Sequence, residues 1–283
     1  MKAAVLGSPV AHSLSPALHL AAYRSLGLDG WSYQAIECDE ARLPALLAEY
    51  GAPGAGWAGL SLTMPLKQAV LGLLDRIDPL AEHVGAANTV VFTAGLRRGY
   101  NTDVPGMLAA LAEAGLTASG PEPALGPVLI LGGGATARSA LAAVRGLGVT
   151  EVAVAVRDEG RAAGLLAAAR RLGIAVRLVP FGAPGPAQAE PALLISTVPA
   201  RAADFHAQRI QQRALSPKCV LDVVYDPWPT ALAAAAGKAG AVVAGGFDLL
   251  LHQAAAQVEL MTGKRPPIEQ MRAAGLAAIQ DRR

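Results

Sequence analysis

The sequence predicts an α/β protein made of two α/β units, and three observations predict it. Short apolar runs alternate with alanine-rich segments of helical period along most of the chain. That rhythm breaks at a proline- and glycine-rich stretch, LTASGPEPALGP at 116–127, and then restarts. The 283 residues are 53% hydrophobic and 16% charged, long enough for two cores and too apolar for a disordered chain.

In the first unit KAAVLG reads as a strand, and SPALHLAAYRSLG as a helix opening at Pro16 with Ser15 in the capping position. WSYQAIEC is a strand and DEARLPALLAEYG a helix. WAGLSLT is a strand followed by the helical QAVLGLLDRID, and ANTVVFTAG with LRRGYN forms a strand pair. The order argues for a mainly parallel sheet. Next comes the helix VPGMLAALAEAG, with Asp103 as a candidate N-cap and Pro105 early in its first turn. After the 116–127 stretch come VLIL, a helix, EVAVAV, a helix, AVRLVP, ALLIST, CVLDVVY and AVVAGG, a second unit denser in strands. The tail from Phe247 to Arg283 reads as two helices separated by GKRPP, which pack back on one of the two units.

Composition excludes several functions. A net charge of +2, with basic pairs only such as Arg97-Arg98 and Arg170-Arg171, argues against nucleic acid. Cys38 and Cys219 lie far apart in no CxxC and are expected as buried free thiols. The five histidines show neither HxxxH nor HExxH spacing, so no metal site is expected. The first apolar run is too short for a signal peptide, and no stretch is long and apolar enough to span a bilayer. A cytoplasmic protein is the expectation.

VLILGGGATARSALAAVRGLG carries a nucleotide-loop pattern. It reads G-x-G-x-x-A at Gly132, Gly134 and Ala137, between a strand and a helix. The first glycine makes the tight turn, the second admits a pyrophosphate, and the small third residue lets helix and strand pack closely. The helix N-terminus offers unpaired N–H groups to phosphate. At the end of the next strand an acidic residue would bond a ribose 2′-hydroxyl, and an arginine a 2′-phosphate. The chain offers Arg157 and Asp158 together, with Arg161 one turn on. Two arginines suit a phosphate, which favours NADP and leaves NAD possible. Asp158 points the other way, toward NAD, unless it faces solvent or pairs with one of the arginines; a plain solvated charge cluster competes with this reading.

Lys67 is one of five lysines beside nineteen arginines. Lysine can release a proton near neutral pH where arginine cannot, a hint of proton chemistry. Taken alone, Lys67 would be a solvated loop residue. Other polar residues stand where strands should end: Ser13 and Ser15 in HSLSP, Thr63 in SLTMPLK, Asn88 in GAANTV, and Asn101 to Asp103 in YNTD. Ligands of open α/β sheets bind outside such strand ends.

In order and wording these stretches resemble the shikimate dehydrogenase family: its serine motif, T-x-P-x-K loop, A-N-T-[VL] strand and N-T-D turn. YDPWPTAL at 225–232 and GFDLLLHQAAAQVELMTG at 246–263 resemble its late motifs. The resemblance implies a substrate-binding catalytic domain of residues 1–104 with 246–283, and a Rossmann dinucleotide-binding domain of residues 105–245, with a cleft between. It implies reversible NADP-linked reduction of 3-dehydroshikimate to shikimate, in aromatic amino-acid biosynthesis. It assigns Lys67 and Asp103 as the catalytic pair, and Ser13 and Ser15 to the substrate carboxylate. Thr63, Asn88, Tyr225 and Gln253 become further substrate contacts. Gly132, Gly133, Gly134, Ala135, Thr136, Arg157, Asp158, Arg161, Thr197 and Gly246 become cofactor contacts. A monomer or homodimer is expected. Two departures stand out. The family's N-R-T reads Val156-Arg157-Asp158 here, which removes polar partners for the adenosine ribose. Its G-A-G-G-A reads Gly132-Gly133-Gly134-Ala135-Thr136. A quinate or aminoshikimate dehydrogenase is the nearest alternative. A non-catalytic nucleotide sensor is another, opposed by the intact Lys67 and Asp103.

Overall fold

The structure, a computed structural model, describes residues 1–117, 125–182 and 190–282. Most of the stretch at 116–127 lies outside the described residues. The chain forms two compact units, Met1–Gly106 with Leu250–Arg283, and Met107–Leu249.

The first unit holds a six-stranded sheet of β1 (Lys2–Gly7), β2 (Ser32–Glu37), β3 (Trp57–Leu62), β4 (Arg76–Ile77), β5 (Thr89–Thr93) and β6 (Leu96–Tyr100), in the order β2-β1-β3-β5-β6-β4. β1 pairs in parallel with β2 and β3, and β6 with β4, while β3–β5 and β5–β6 are antiparallel. β1 and β3 are buried along almost their whole length, as strands covered on both faces must be. The β5–β6 hairpin turns on Ala94 and Gly95, both at positive φ, which matches the twist of the flanking strands. Helices α1 (Ser15–Ser25) and α2 (Leu43–Tyr50) make the crossovers. Leu6, Leu43, Leu47, Leu60, Leu66 and Val90 close the core.

The helix expected over QAVLGLLDRID is shorter. α3 (Leu66–Ala69) runs into a 3-10 turn at Val70–Leu73, and the chain then joins the sheet as β4. Asp75 explains the change: its carboxylate accepts from the Arg97 backbone N–H and guanidinium at 2.8–2.9 Å, drawing the segment onto β6. A helix the sequence reading passed over, α4 (Pro79–Val84), is capped by Asp78 and ended by Gly85 at φ 70°. Its six residues are too few to show a period. Beyond β6 the chain enters α5 (Asp103–Glu113).

The second unit is a fully parallel sheet of β7 (Val128–Leu131), β8 (Glu151–Val156), β9 (Ala175–Pro180), β10 (Leu193–Ser196), β11 (Cys219–Asp222) and β12 (Val242–Gly245), in the order β12-β11-β10-β7-β8-β9. Numbered from β7 this is 3-2-1-4-5-6, the dinucleotide-binding order. Besides α6 (Ala135–Gly146) and α7 (Ala163–Leu172) the crossovers use α8 (Asp204–Gln211) and α9 (Ala231–Lys238), two helices absent from the sequence reading. Parallel neighbours require such crossovers whether or not an eight-residue helix shows a pattern. The strand expected over CVLDVVY ends at Asp222. There the carboxylate takes the Thr230 hydroxyl at 2.6 Å, and Thr230 in turn caps α9.

The tail forms α10 (Gly246–Thr262) and α11 (Ile268–Gln280); α11 packs on α1, and from Leu250 onward the tail belongs to the first unit. Among the described residues, no helix is long and apolar enough to cross a membrane.

Candidate active site

The polar stretches of the first unit converge on one edge of its sheet, the carboxyl ends of β1, β3 and β6. β5 runs antiparallel, so its amino end lies at the same edge. Backbone bonds continue the ladder past the strand ends: Thr63 N–H to the Leu6 carbonyl, Leu62 N–H to the Asn88 carbonyl, and Asn88 N–H to the Tyr100 carbonyl. Four distant segments are thereby set side by side. Gly7 belongs to the same device, because any Cβ there would collide with the Thr63 methyl.

At this edge the Lys67 ammonium, on α3, donates to Asp103 Oδ2 at 2.5 Å. Asp103 Oδ1 accepts from Asn88 Nδ2 at 2.8 Å. The Lys67 side chain is 15% exposed and that of Asp103 7%, so the pair is shielded but still open to a ligand. Asn88 is oriented without ambiguity: the Thr102 backbone N–H, which can only donate, points at Asn88 Oδ1 at 2.7 Å. Its amide N–H groups therefore face Asp103, Thr102 Oγ1 and, at 3.3 Å, Gln253 Oε1. Gln253 Nε2 donates to the Leu250 carbonyl, which leaves its oxygen toward this cluster. Gly106 makes the approach possible, since a Cβ there would lie 2.9 Å from the Gln253 backbone nitrogen.

Two capping expectations are corrected. Asp103 is the first residue of α5 rather than its cap. The Asn101 side chain accepts the Val104 N–H, so the Asp103 carboxylate stays with Lys67 and Asn88. Ser15 is likewise inside α1, whose N-cap is Leu14 without a side-chain bond. The hydroxyl that takes a local N–H is Ser13, which accepts from Ser15 N at 3.2 Å. From the C-terminal end Arg282 donates to the His12 and Ser13 carbonyls and holds this loop.

Joined to the pair through Asn88 and Thr102 lies a buried polar layer that the sequence reading did not single out: His19, Tyr33, Ser61, Thr89 and Gln257. Gln257 carried a signal, since it stands four residues after Gln253 on a largely apolar helix and so shares its face. His19 is fully buried and stacked on Tyr33 at 3.9 Å between ring centroids. Burial pushes its pKa down from 6.5 to about 3, opposed by its bond to Gln257. The unfolded chain therefore binds more protons than the folded one between those values. The stability that depends on neutral His19 is full above pH 6.5 and is lost as pH falls toward about 3. His206 in the second unit, held down to about 4 chiefly by burial and by Arg209, adds to the same slope. In urea titrations between about pH 6.5 and 4.5, His19→Leu should lose stability less steeply than the wild type. An unchanged slope would show that His19 is not held neutral.

In the second unit the glycine turn follows β7. Gly132 adopts φ 105°, and a Cβ there would lie 2.7 Å from Thr197 Oγ1. Thr197 follows β10 and donates to the Leu131 carbonyl. β7 and β10 are neighbours whose connections leave in opposite directions, the switch point where nucleotides bind. Gly134 is the N-cap of α6 with no side-chain bond to the helix, so its first N–H groups keep their capacity for phosphate. Ala135 and Thr136 open that helix, and Ala137 is fully buried, as the close-packing role requires. Asp158 is exposed and pairs with neither Arg157 nor Arg161; it caps the turn Glu159–Ala162, accepting the Gly160 N–H at 2.9 Å. Arg157 and Arg161 are exposed beside it. Gly246 opens α10 against the Val223 carbonyl, where no Cβ fits. Tyr225 lies in the Val223–Thr230 connection of this second unit, whereas the other residues assigned to substrate belong to the first.

A parallel dinucleotide fold with a glycine turn at its switch point, in a chain that also builds a shielded lysine–carboxylate pair, defines a nicotinamide-dependent oxidoreductase. Residues 5–90 match the shikimate dehydrogenase substrate binding domain, and residues 246–274 the shikimate 5'-dehydrogenase C-terminal domain. A shikimate dehydrogenase (NADP(+)) from one strain of Thermus thermophilus is 38% identical over 280 residues, 99% of each chain. The crystal structure of Mycobacterium tuberculosis shikimate dehydrogenase superposes with a TM-score of 0.84 at 44% identity, covering 98% of each chain. That of the enzyme from a second Thermus thermophilus strain, in complex with NADP(H) and shikimate, gives 0.82 at 35% identity, over 98% of this chain and 99% of that one. The chain belongs to the shikimate dehydrogenase family.

Proposed function

We infer that the chain is an NADP-dependent shikimate dehydrogenase, reducing 3-dehydroshikimate reversibly to shikimate on the route to chorismate and the aromatic amino acids. The observation that carries this reading is the Lys67 ammonium 2.5 Å from Asp103, with Asn88 holding the other carboxylate oxygen. The reduced nicotinamide supplies a hydride to the ketone carbon. Lys67 meets the negative charge that develops on the ketone oxygen and gives that oxygen a proton, which it recovers from solvent. Asp103 holds the ammonium in place and accepts from the neighbouring substrate hydroxyl. In the reverse direction Lys67 as the free amine takes the hydroxyl proton. Ser13 and Ser15 donate to the substrate carboxylate, and Thr63, Asn88 and Gln253 contact the ring hydroxyls. Tyr225 is assigned to substrate by family resemblance alone.

The second unit fits the cofactor. Gly132, Gly133 and Gly134 leave a cradle without side chains, and the N–H groups at Ala135 and Thr136 would hold a pyrophosphate. Thr197 and Gly246 shape the turn and the α10 start. Asp158 is engaged with Gly160, so Arg157 and Arg161 can receive a 2′-phosphate, which supports NADP over NAD. Cys38 and Cys219 are buried free thiols, in keeping with a reducing cytoplasm.

The test is the absorbance of the reduced nicotinamide with shikimate, quinate and aminoshikimate, each with NADP and NAD. Turnover is expected to be fastest with shikimate and NADP. A higher kcat/KM with quinate would make the chain a quinate dehydrogenase, and nucleotide binding without turnover on any of them would make it a sensor.

A further inference from the structure

Gln257 sits 1% exposed on α10, and nothing in the reaction above uses it. Its amide has one possible orientation. Nε2 faces the Asn88 backbone carbonyl at 3.4 Å, an atom that only accepts, so this side must be the NH₂. Nε2 also donates to Thr89 Oγ1 at 3.1 Å. Thr89, having accepted there, gives its own proton to Asn88 Oδ1 at 3.0 Å. The opposite side, Oε1, accepts from Ser61 Oγ at 2.8 Å and lies 3.3 Å from His19 Nε2, which must be the protonated ring nitrogen. Ser61 in turn accepts from the Tyr33 hydroxyl at 2.7 Å.

We propose that Gln257 is a positioning residue that braces Asn88, and through it Asp103, against the α1 and β3 side of the site. It touches Asn88 at the carbonyl and, through Thr89, at the side-chain oxygen. Its other end is anchored on His19 of α1, the helix that opens at Ser15, and on Ser61 of β3, two residues before Thr63. One buried amide thus ties the segment that places the carboxylate-binding serines to the segment that aims Asp103. The bonds made by the Gln257 amide have set directions, while the Thr89–Thr102 hydroxyl contact at 3.3 Å can run either way, so the brace resists displacement of Asn88 and favours one orientation of its amide. This inference rests on the shikimate dehydrogenase reading.

The test uses the full-length enzyme. Gln257→Met removes the brace outright; because it strands several buried partners, it is accompanied by two variants that keep the packing. Gln257→Glu keeps acceptors for Ser61 and His19 but has no donor for Asn88 or Thr89 when ionised. Thr89→Val cuts the second link, and Thr89→Ser restores it. With folding verified by thermal unfolding, Gln257→Glu and Thr89→Val should each lower kcat by roughly 10- to 100-fold, with KM for shikimate changed less than about threefold. Thr89→Ser should stay within about threefold of wild type, and the double variant should be no worse than the poorer single. Wild-type kcat in both single variants, or losses that multiply in the double variant, would overturn the brace. A wild-type enzyme inert toward shikimate would instead defeat the functional reading. The brace is then read from His19 ring-nitrogen NMR: a neutral ring protonated at Nε2 in the wild type, and an imidazolium in Gln257→Glu at the same pH. A ring protonated at Nδ1 in the wild type would reject it.

Discussion

Lys67→Ala should lower kcat for shikimate oxidation by roughly 10³-fold while shifting KM for shikimate by less than about fivefold. The asymmetry follows from where the ammonium acts. In the proposed reaction it would meet an oxygen whose charge develops only as hydride moves, so its removal should be felt in the transition state more than in the bound ground state. On the proposed reading, substrate affinity is expected to rest on other groups, the serine loop at Ser13 and Ser15 and the amides of Asn88 and Gln253. Lys67→Arg is no remedy: the guanidinium keeps the positive charge and can still pair with Asp103 but cannot surrender a proton. Asp103→Asn leaves the lysine without its anion and should also be severely impaired. Steady-state kinetics with both substrates separate these effects. A Lys67→Ala enzyme with normal kcat would remove the proposed proton transfer.

Arg157→Ala combined with Arg161→Ala should lower kcat/KM for NADP by roughly 100-fold and leave that for NAD within about threefold. Two charge-assisted contacts to one phosphate account for a loss of that size, and NAD has no 2′-phosphate to lose them. Asp158→Ala gives a contrasting result, because its carboxylate is bound to the Gly160 N–H as a turn cap. That variant should slightly destabilise the Glu159–Ala162 turn without improving NADP binding by much, whereas an Asp158 aimed at the ribose would give a large gain on removal. Equal losses for NADP and NAD in the double arginine variant would show that the arginines do not read the 2′-phosphate.

The nucleotide turn was legible because all its determinants are local. Gly132, Gly134 and Ala137 lie within six residues, and the strand before and helix after are set by the same short stretch. The β5–β6 hairpin was legible for the same reason, its turn residues standing between the two strands they join. What escaped were short helices such as α4, α8 and α9, whose six to eight residues carry too little period to detect.

The site divides along the same line. By itself the sequence determined the α/β class, the glycine turn and the kinds of side chain present at each strand end, since periodicity and turn chemistry are written in neighbouring residues. Only the tertiary structure decided that Asn101 relieves Asp103 of capping, that Asp158 is occupied by Gly160, and that Gln257 reaches Ser61, His19 and Thr89. Those outcomes turn on which of several possible partners lies within hydrogen-bond reach. Where the partners stand 196 and 238 residues apart, as for Gln257 with Ser61 and His19, that distance is set by the packing of α10 on the first sheet, which no local pattern encodes.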